Sequence, residues 1–396
     1  MATLSFSEAR QSVLETVRGA RTRPEVEEVD LLSAAGRVLA QNVSADRDYP
    51  PLARSLRDGF AVRCADLPGA LRVIGEVRAG EQFGGSVGAG ETVEIMTGAP
   101  VPNGADAVVM IEHVVRDGGE VRVDSPTDPG QFINPQGCES KAGDVAVPCG
   151  KRLDFSDVAM LAAVGRHSVA VYAKPSVALL ATGDEIIPVT GTPKPFQIRN
   201  SNVYSLAAQV TRAGGVPRIL PVARDDYEHT RQLLEQGLAS DLLLVSGGVS
   251  AGKYDLVEKA FESFGAEFFF DRVLIQPGQP LVFGRARNRF FFGLPGNPAS
   301  TMVTFEIFAR AALELLGGQQ EVSLPMSLAR LGRDFRHKPG LTRFLPAYLS
   351  SGGEVTPVPW NGSSDVPALT RANAFLVADA ERAQWSAGEL IRVLLK

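Results

Sequence analysis

The sequence predicts a multidomain α/β plus β protein, and three textures along the chain carry that prediction. Short alternating strands broken by Gly and Pro run from about Leu52 to Val147, and strands alternating with helical stretches run from about Lys174 to Leu316. Strand-and-turn patterning then returns from about Glu321 to Lys396. Strands separated by helical stretches of about ten to fifteen residues imply a parallel, doubly wound sheet, which binds its ligand beyond the carboxyl ends of its strands.

The elements follow in order. Ser5-Phe-Ser-Glu8 has capping-box spacing, and Ala9, Val13, Leu14 and Val17 continue it as one amphipathic helix. A second short helix is expected over Leu31–Val38. Val108–Val123 reads as a hairpin with Asp117-Gly118-Gly119 at its turn. A helix over Ser156–Val164 precedes a strand, Val169–Tyr172, that returns to the first region. In the α/β stretch, strand Val177–Ala181 precedes Thr182-Gly-Asp-Glu185, and helix Val203–Ala213 precedes strand Val216–Val222. Helix Glu228–Gly237 leads into strand Asp241–Val245. Phe290–Leu294 is another strand, and Pro295-Gly-Asn-Pro-Ala-Ser300 opens a helix through Leu316. The phenylalanines at 268–270 and 290–292 read as buried strand.

The 396 residues are long enough for roughly two to four domains and a sizeable core. A net charge of −5 gives no basic field for nucleic acid or an anionic membrane. No apolar run approaches the ~18 residues of a membrane span. Glu8 and Glu15 interrupt the amino terminus, which lacks a signal-peptide pattern. Cys64, Cys138 and Cys149 lie outside any C-x-x-C and read as reduced thiols of a cytoplasmic protein. The dispersed histidines (His113, His167, His229, His337) form no metal or nucleophile motif, so chemistry rests on carboxylates, amides, hydroxyls and backbone donors.

One stretch concentrates that chemistry. After the apolar run Asp241–Val245, Ser246-Gly-Gly-Val-Ser250 leads through Lys253 to Asp255 at a helical pattern, Leu256–Phe264. Glycine-rich strand-to-helix loops cradle phosphates with backbone N–H groups. Gly247 to Lys253 also has P-loop spacing, but Tyr254 stands where Mg²⁺ requires Ser or Thr. Further carboxylates sit at strand ends: Asp184 and Glu185, and Asp225 and Asp226. Each feature has a plainer reading. Asp58-Gly59 is a common turn pair, Asp225-Asp226 can cap the following helix, Thr97 can start the turn at Gly98, and Asp255 can be an N-cap.

Several stretches together resemble the molybdopterin molybdenumtransferase family, the bacterial MoeA proteins and the gephyrin E domain. They are Arg57-Asp-Gly-Phe-Ala-Val62, Met96-Thr-Gly-Ala-Pro-Val-Pro102, Ala105-Asp-Ala-Val-Val109, Thr182-Gly-Asp-Glu-Ile186 and Ile198-Arg-Asn-Ser-Asn202. Arg224-Asp-Asp226, Ser246-Gly-Gly-Val-Ser250 with Asp255, and Gly293-Leu-Pro-Gly-Asn-Pro298 complete the ordered set, which spans essentially the whole chain.

The resemblance implies a homodimer of four-domain subunits. Residues 1–47 with 148–172 would form an N-terminal linker and dimerisation domain, and 48–147 an inserted β-rich domain. Residues 173–320 would form the molybdopterin-binding α/β domain and 321–396 a small β barrel. The implied activity inserts molybdate into adenylylated molybdopterin with Mg²⁺, releasing AMP. The active site would lie between the α/β domain of one subunit and the second and fourth domains of its partner.

The implied catalytic residues are Asp58, Thr97, Glu185, Asp225 and Asp255, with Glu185, Asp225, Asp226 and Asp255 as candidate Mg²⁺ ligands. Implied substrate-binding residues are Ser246, Gly247, Gly248, Ser250, Pro295, Gly296, Asn297 and Ser363, with Arg343 and Arg371 as cations for an anionic ligand. Glu139 stands where the family usually has Asp. Gln276 and Gln279, in Gln-Pro-Gly-Gln, occupy a motif that usually carries lysines, and Asn134 stands where arginine is common. A lysine would give a dianion a bond about twice as strong as a neutral amide's. Three readings therefore stay open: an active transferase, a weakened dimeric paralogue that binds pterin or AMP, and a phosphoanhydride hydrolase.

Overall fold

The computed structural model describes residues 3–20, 24–248 and 254–396, without the side chains of Tyr254 and Asp255. The first helix, Phe6–Gly19, forms as its sequence requires, with both bonds of the Ser5/Glu8 capping box and Ala9, Val13 and Val17 buried. The second helix is shorter than expected and spans only Leu31–Ala34. Gly36 adopts φ +77°, and that left-handed turn ends the helix two residues on.

Val26–Asp30 pairs antiparallel with Ser168–Tyr172, and Val43–Ser44 pairs with Val145–Val147. The chain therefore leaves this region, builds the β-rich segment, and returns through helix Phe155–Ala163. Within the β-rich segment a six-stranded sheet has Gly59–Val62 between Glu91–Ile95 and Ala107–Met110. The expected hairpin is Val115–Asp117 with Glu120–Val123, turning at Gly118-Gly119. The preceding strand, Ala107–Met110, pairs instead with Gly59–Val62.

The central sheet runs in the order Val216–Ile219, Ser176–Ala181, Leu242–Ser246, Arg289–Leu294, Pro280–Ala286, Glu267–Arg272. The first four strands are mutually parallel; Pro280–Ala286 runs antiparallel to both its neighbours, so Glu267–Arg272 at the edge runs with the first four. Alternate residues of Ser176–Ala181 bury into opposite cores. Val177 and Leu179 meet Val203, Leu206 and Val210 of helix Asn202–Arg212, while Ala178 and Leu180 meet Leu233, Leu234 and Phe261 from helices Tyr227–Gly237 and Tyr254–Ser263. A sheet covered on both faces by helices is doubly wound. Phe270, Phe290, Phe291 and Phe292 are fully buried within it.

The strand order reverses beside Ser176–Ala181. The chain crosses first to Val216–Ile219 on one side and then to Leu242–Ser246 on the other, which opens a crevice at their carboxyl ends. Toward the carboxyl terminus, Thr342–Leu349, Glu354–Pro357, Met326–Leu331, Leu390–Leu395 and Ala374–Ala378 close into a five-stranded barrel. Ile275–Gln276 adds to it in parallel, aligning Gln276 with Arg343 and tying the α/β domain to the barrel. Among the described residues, no helix is long and apolar enough to cross a membrane.

Candidate functional site

The carboxyl edge of the parallel strands opens on a cleft of about 570 Å³. Three loops form its floor: Thr182 to Glu185 after Ser176–Ala181, Gly247-Gly248 after Leu242–Ser246, and Pro295 to Pro298 after Arg289–Leu294. Ile186, Ile198 and Arg199 line another part, from a short parallel ribbon that pairs Ile186–Ile187 with Ile198–Arg199. Asn200, Ser201 and Asn202 come from the start of helix Asn202–Arg212, and Ser364 comes from beside the barrel.

Backbone donors can be accounted for one by one. Gly247 and Gly248 hold φ +92° and +71°, which glycine permits without strain. Gly247's amide donates to the Leu294 carbonyl at 3.1 Å, whereas Gly248's meets no backbone acceptor among the described residues. Pro298 has no N–H, and Ala299's donates to the Ser363 carbonyl at 2.9 Å. Among the described residues the amides of Gly296 and Asn297 meet no backbone acceptor and remain as donors on that turn. Asn297 Nδ2 donates to Ser363 Oγ at 2.9 Å, so Ser363 braces the turn through two contacts.

The carboxylates separate by role. Glu185 lines the cleft, and its carboxylate lies where a Cβ on Gly183 would stand, 2.5 Å from one oxygen; that glycine makes room for it. Asp225 is one loop away, its amide donating to Asp184 Oδ1 at 3.2 Å. Asp226 is the N-cap of Tyr227–Gly237, accepting from the His229 amide at 2.8 Å, so the capping reading describes its position. Ser250, Lys253 and the Asp255 side chain lie outside the described residues. Among the described residues, no three His, Cys, Asp or Glu side chains gather as a metal-binding group.

Asp58 and Thr97 meet in the β-rich segment. Asp58 Oδ1 accepts from the Thr97 amide at 2.6 Å and from Thr97 Oγ1 at 2.9 Å. These bonds, the amide's first, hold the Asp58 carboxyl below the usual carboxylate range. Its contribution to stability is complete above the ordinary aspartate value of about 3.9 and is lost as pH falls through the depressed value. Replacing Thr97 by valine removes the smaller of the two bonds. Asp58 is then expected to titrate higher in an NMR pH series without reaching its ordinary value, and an unchanged titration would remove the hydroxyl from this account.

Glu139 Oε1 accepts from Asn134 Nδ2 at 2.8 Å, a neutral partner for the carboxylate. Among the described residues, no residue of 48–147 lines the cleft, so Asp58, Thr97 and Glu139 stand apart from it within one chain. Arg343 Nε is buried without a hydrogen-bond partner among the described residues, beside Gln276 in register. Gln279 is half-buried and directly precedes Pro280, a cleft residue. Arg371 sits in the last turn of Val366–Arg371, its guanidinium 3.5 Å from the Pro359 carbonyl.

Comparison with known proteins decides the family. The MoeA N-terminal region (domain I and II) matches residues 4–165, a probable molybdopterin binding domain matches 178–315, and the MoeA C-terminal region (domain IV) matches 328–396. The molybdopterin molybdenumtransferase of Staphylococcus aureus strain Mu50 is 32% identical over 378 residues, covering 93% of this chain and 90% of that protein. This chain belongs to the molybdopterin molybdenumtransferase family. It is an enzyme of molybdenum cofactor biosynthesis. The homologue of the same name from Staphylococcus epidermidis strain RP62A is 31% identical over 378 residues, with the same 93% and 90% coverage. The fold agrees: the molybdopterin biosynthesis MoeA protein of Pyrococcus horikoshii OT3 superposes with a TM-score of 0.81 at 30% identity, over 100% of both chains.

Sequence reasoning left several lining residues without a role, among them Ile186, Ile198, Arg199 and Asn202. The last three lie in Ile198-Arg-Asn-Ser-Asn202, a polar run at a helix start. An asparagine at the first position of an amphipathic helix, where the neighbouring residues turn inward, is the signal that could have found one of them.

Proposed function

We propose that the cleft binds adenylylated molybdopterin and, with Mg²⁺ and molybdate, yields molybdenum cofactor and AMP. The observation that carries this reading is the meeting of Gly248, Gly296 and Asn297 amides with the Glu185 carboxylate in one crevice at the sheet's switch point. Backbone donors suit phosphate oxygens, and the start of helix Asn202–Arg212 adds partial positive charge. Arg199 supplies a further cation at the lining.

A magnesium site of one or two carboxylates completed by substrate phosphate and water fits this donor set. Glu185 would hold the ion, with Asp225 and Asp255 as further candidates; the cap takes up Asp226. The ion would neutralise charge on the phosphoanhydride as AMP leaves. Asp58, kept ionised by Thr97, serves as an orienting acceptor and not as an acid. Because it lies outside its own chain's cleft, we assign Asp58, Thr97 and Glu139 to the cleft of a partner subunit in a homodimer. The boundaries 1–47 with 148–172, 48–147, 173–320 and 321–396 serve as the working domain division. The unpaired cysteines Cys64, Cys138 and Cys149 are in keeping with a cytoplasmic protein.

Incubating the protein with adenylylated molybdopterin, Mg²⁺ and molybdate is expected to release AMP and form cofactor. Tight binding without AMP release would favour the weakened paralogue. A specific feature keeps that second reading in view, since Gln276 and Gln279 are neutral where Arg343 lies in register beside this loop. Restoring charge with Gln279→Lys is expected to lower the half-saturating molybdate concentration several-fold, as a charge-assisted bond is about twice as strong as a neutral one. An unchanged or weaker molybdate dependence would remove Gln279 from the molybdate site.

A further inference from the structure

We propose that Asn202 is a positioning residue that locks the two donor loops of the cleft together. Its Nδ2 donates to Ser246 Oγ at 2.8 Å and to the Gly296 carbonyl at 2.7 Å. A carbonyl only accepts, so this pairing fixes which end of the amide faces the loops. Ser246 is the last residue before Gly247-Gly248, and Gly296 lies in the turn after the neighbouring parallel strand, whose Leu294 is in register with Ser246. The two loops already touch, since a Cβ built on Gly296 would lie 3.6 Å from Gly247 Cα. One side chain thus spans the segments that carry the Gly248, Gly296 and Asn297 donors.

The other end of the same amide shows what is retained. Asn202 is only 9% exposed, and its Oδ1 is buried without a hydrogen-bond partner among the described residues. An unpaired buried acceptor is costly, and an apolar side chain of similar shape would avoid that cost. The donor end is therefore what distinguishes asparagine from leucine here. By tying Ser246 to Gly296 it sets the spacing between amides of the two loops, so that phosphate oxygens meet donors already in place. Asn202 also occupies the first position of helix Asn202–Arg212, which links the helix start to both loops.

This role rests on reading the cleft as a phosphate cradle, and the test separates the two. Hydrogen exchange at the Gly247 amide, whose partner is the Leu294 carbonyl, reports the loop directly, while calorimetry with AMP reports the cradle. Asn202→Ala, Asn202→Asp and, from the other side of the bond, Ser246→Ala are each expected to speed exchange at Gly247 about tenfold or more. Each is expected to weaken AMP binding about tenfold. Exchange on the outer strand Val216–Ile219 should stay unchanged, which a general loss of structure would not allow. Unchanged exchange at Gly247 in Asn202→Ala and Ser246→Ala overturns the lock. Faster exchange in a protein whose wild type binds no AMP sustains the lock and removes the phosphate-cradle reading.

Discussion

Replacing Glu185 by glutamine is expected to lower AMP release about a hundredfold, close to 2.7 kcal/mol of barrier, while adenylylated molybdopterin still binds. Glutamine keeps the length and shape of the side chain that fits above Gly183, so the loop need not move. What it removes is a negative charge on a cleft whose described lining otherwise offers amides, hydroxyls and Arg199. On the proposed reading a hard divalent cation would lose a fixed carboxylate ligand, whereas the Gly248, Gly296 and Asn297 amides would still meet the phosphates. The measurement is the initial rate of AMP release over a Mg²⁺ series. A shift to higher Mg²⁺ with a lower plateau is the expected pattern. A wild-type rate at every concentration would take Glu185 out of the metal site.

Gly59→Ala is expected to damage the β-rich segment more than most single-methyl additions. A Cβ at Gly59 would stand 1.9 Å from the Val109 carbonyl oxygen and 2.9 Å from Met110 Cα, both of them backbone. Strand Ala107–Met110 pairs with Gly59–Val62, and neither can retreat without opening a sheet whose neighbouring Phe60, Ala61 and Val62 are fully buried. Overpacking of this kind costs about 1–3 kcal/mol or more. The adjacent Asp58 would shift away from Thr97, so cofactor formation should fall along with thermal stability. A melting temperature within a degree or so of wild type, with normal activity, would show that the two strands can separate cheaply.

Particular residues show how far the sequence could be read. The Ser5-to-Glu8 spacing specified a helix because a capping box is satisfied within four residues and needs no distant partner. The alternation of strand and helix likewise specified the central strands Ser176–Ala181, Leu242–Ser246 and Arg289–Leu294, since each must hide both faces; it did not find Pro280–Ala286 and carried Val216–Ile219 on to Val222. Leu31–Val38 was read too long because the pattern did not register that Gly36 would turn left-handed. Asp58-Gly59 has the look of a turn, yet Gly59 opens a buried strand and is glycine because another strand's backbone passes over it. Asp225 and Asp226 are alike as neighbours at a strand end. The direction in which the helix starts sends Asp226 to the His229 amide as its cap, while Asp225's amide engages Asp184.

The sequence by itself determined the kinds of domain, the family and the order of glycine-rich and acidic loops, because these are written in local periodicity and motif spacing. Tertiary structure decided which groups meet. The switch in strand order brings the ends of strands Ser176–Ala181, Leu242–Ser246 and Arg289–Leu294, far apart along the chain, to one crevice. Closure of the barrel places Ser363 against Asn297 and sets Arg343 beside Gln276. Packing also spends some donors and spares others: among the described residues the amides of Gly248, Gly296 and Asn297 meet no backbone acceptor, while those of Gly247 and Ala299 do. Hydrogen-bond partners distant in sequence depend on the register of strands and the approach of loops, and no local pattern encodes either.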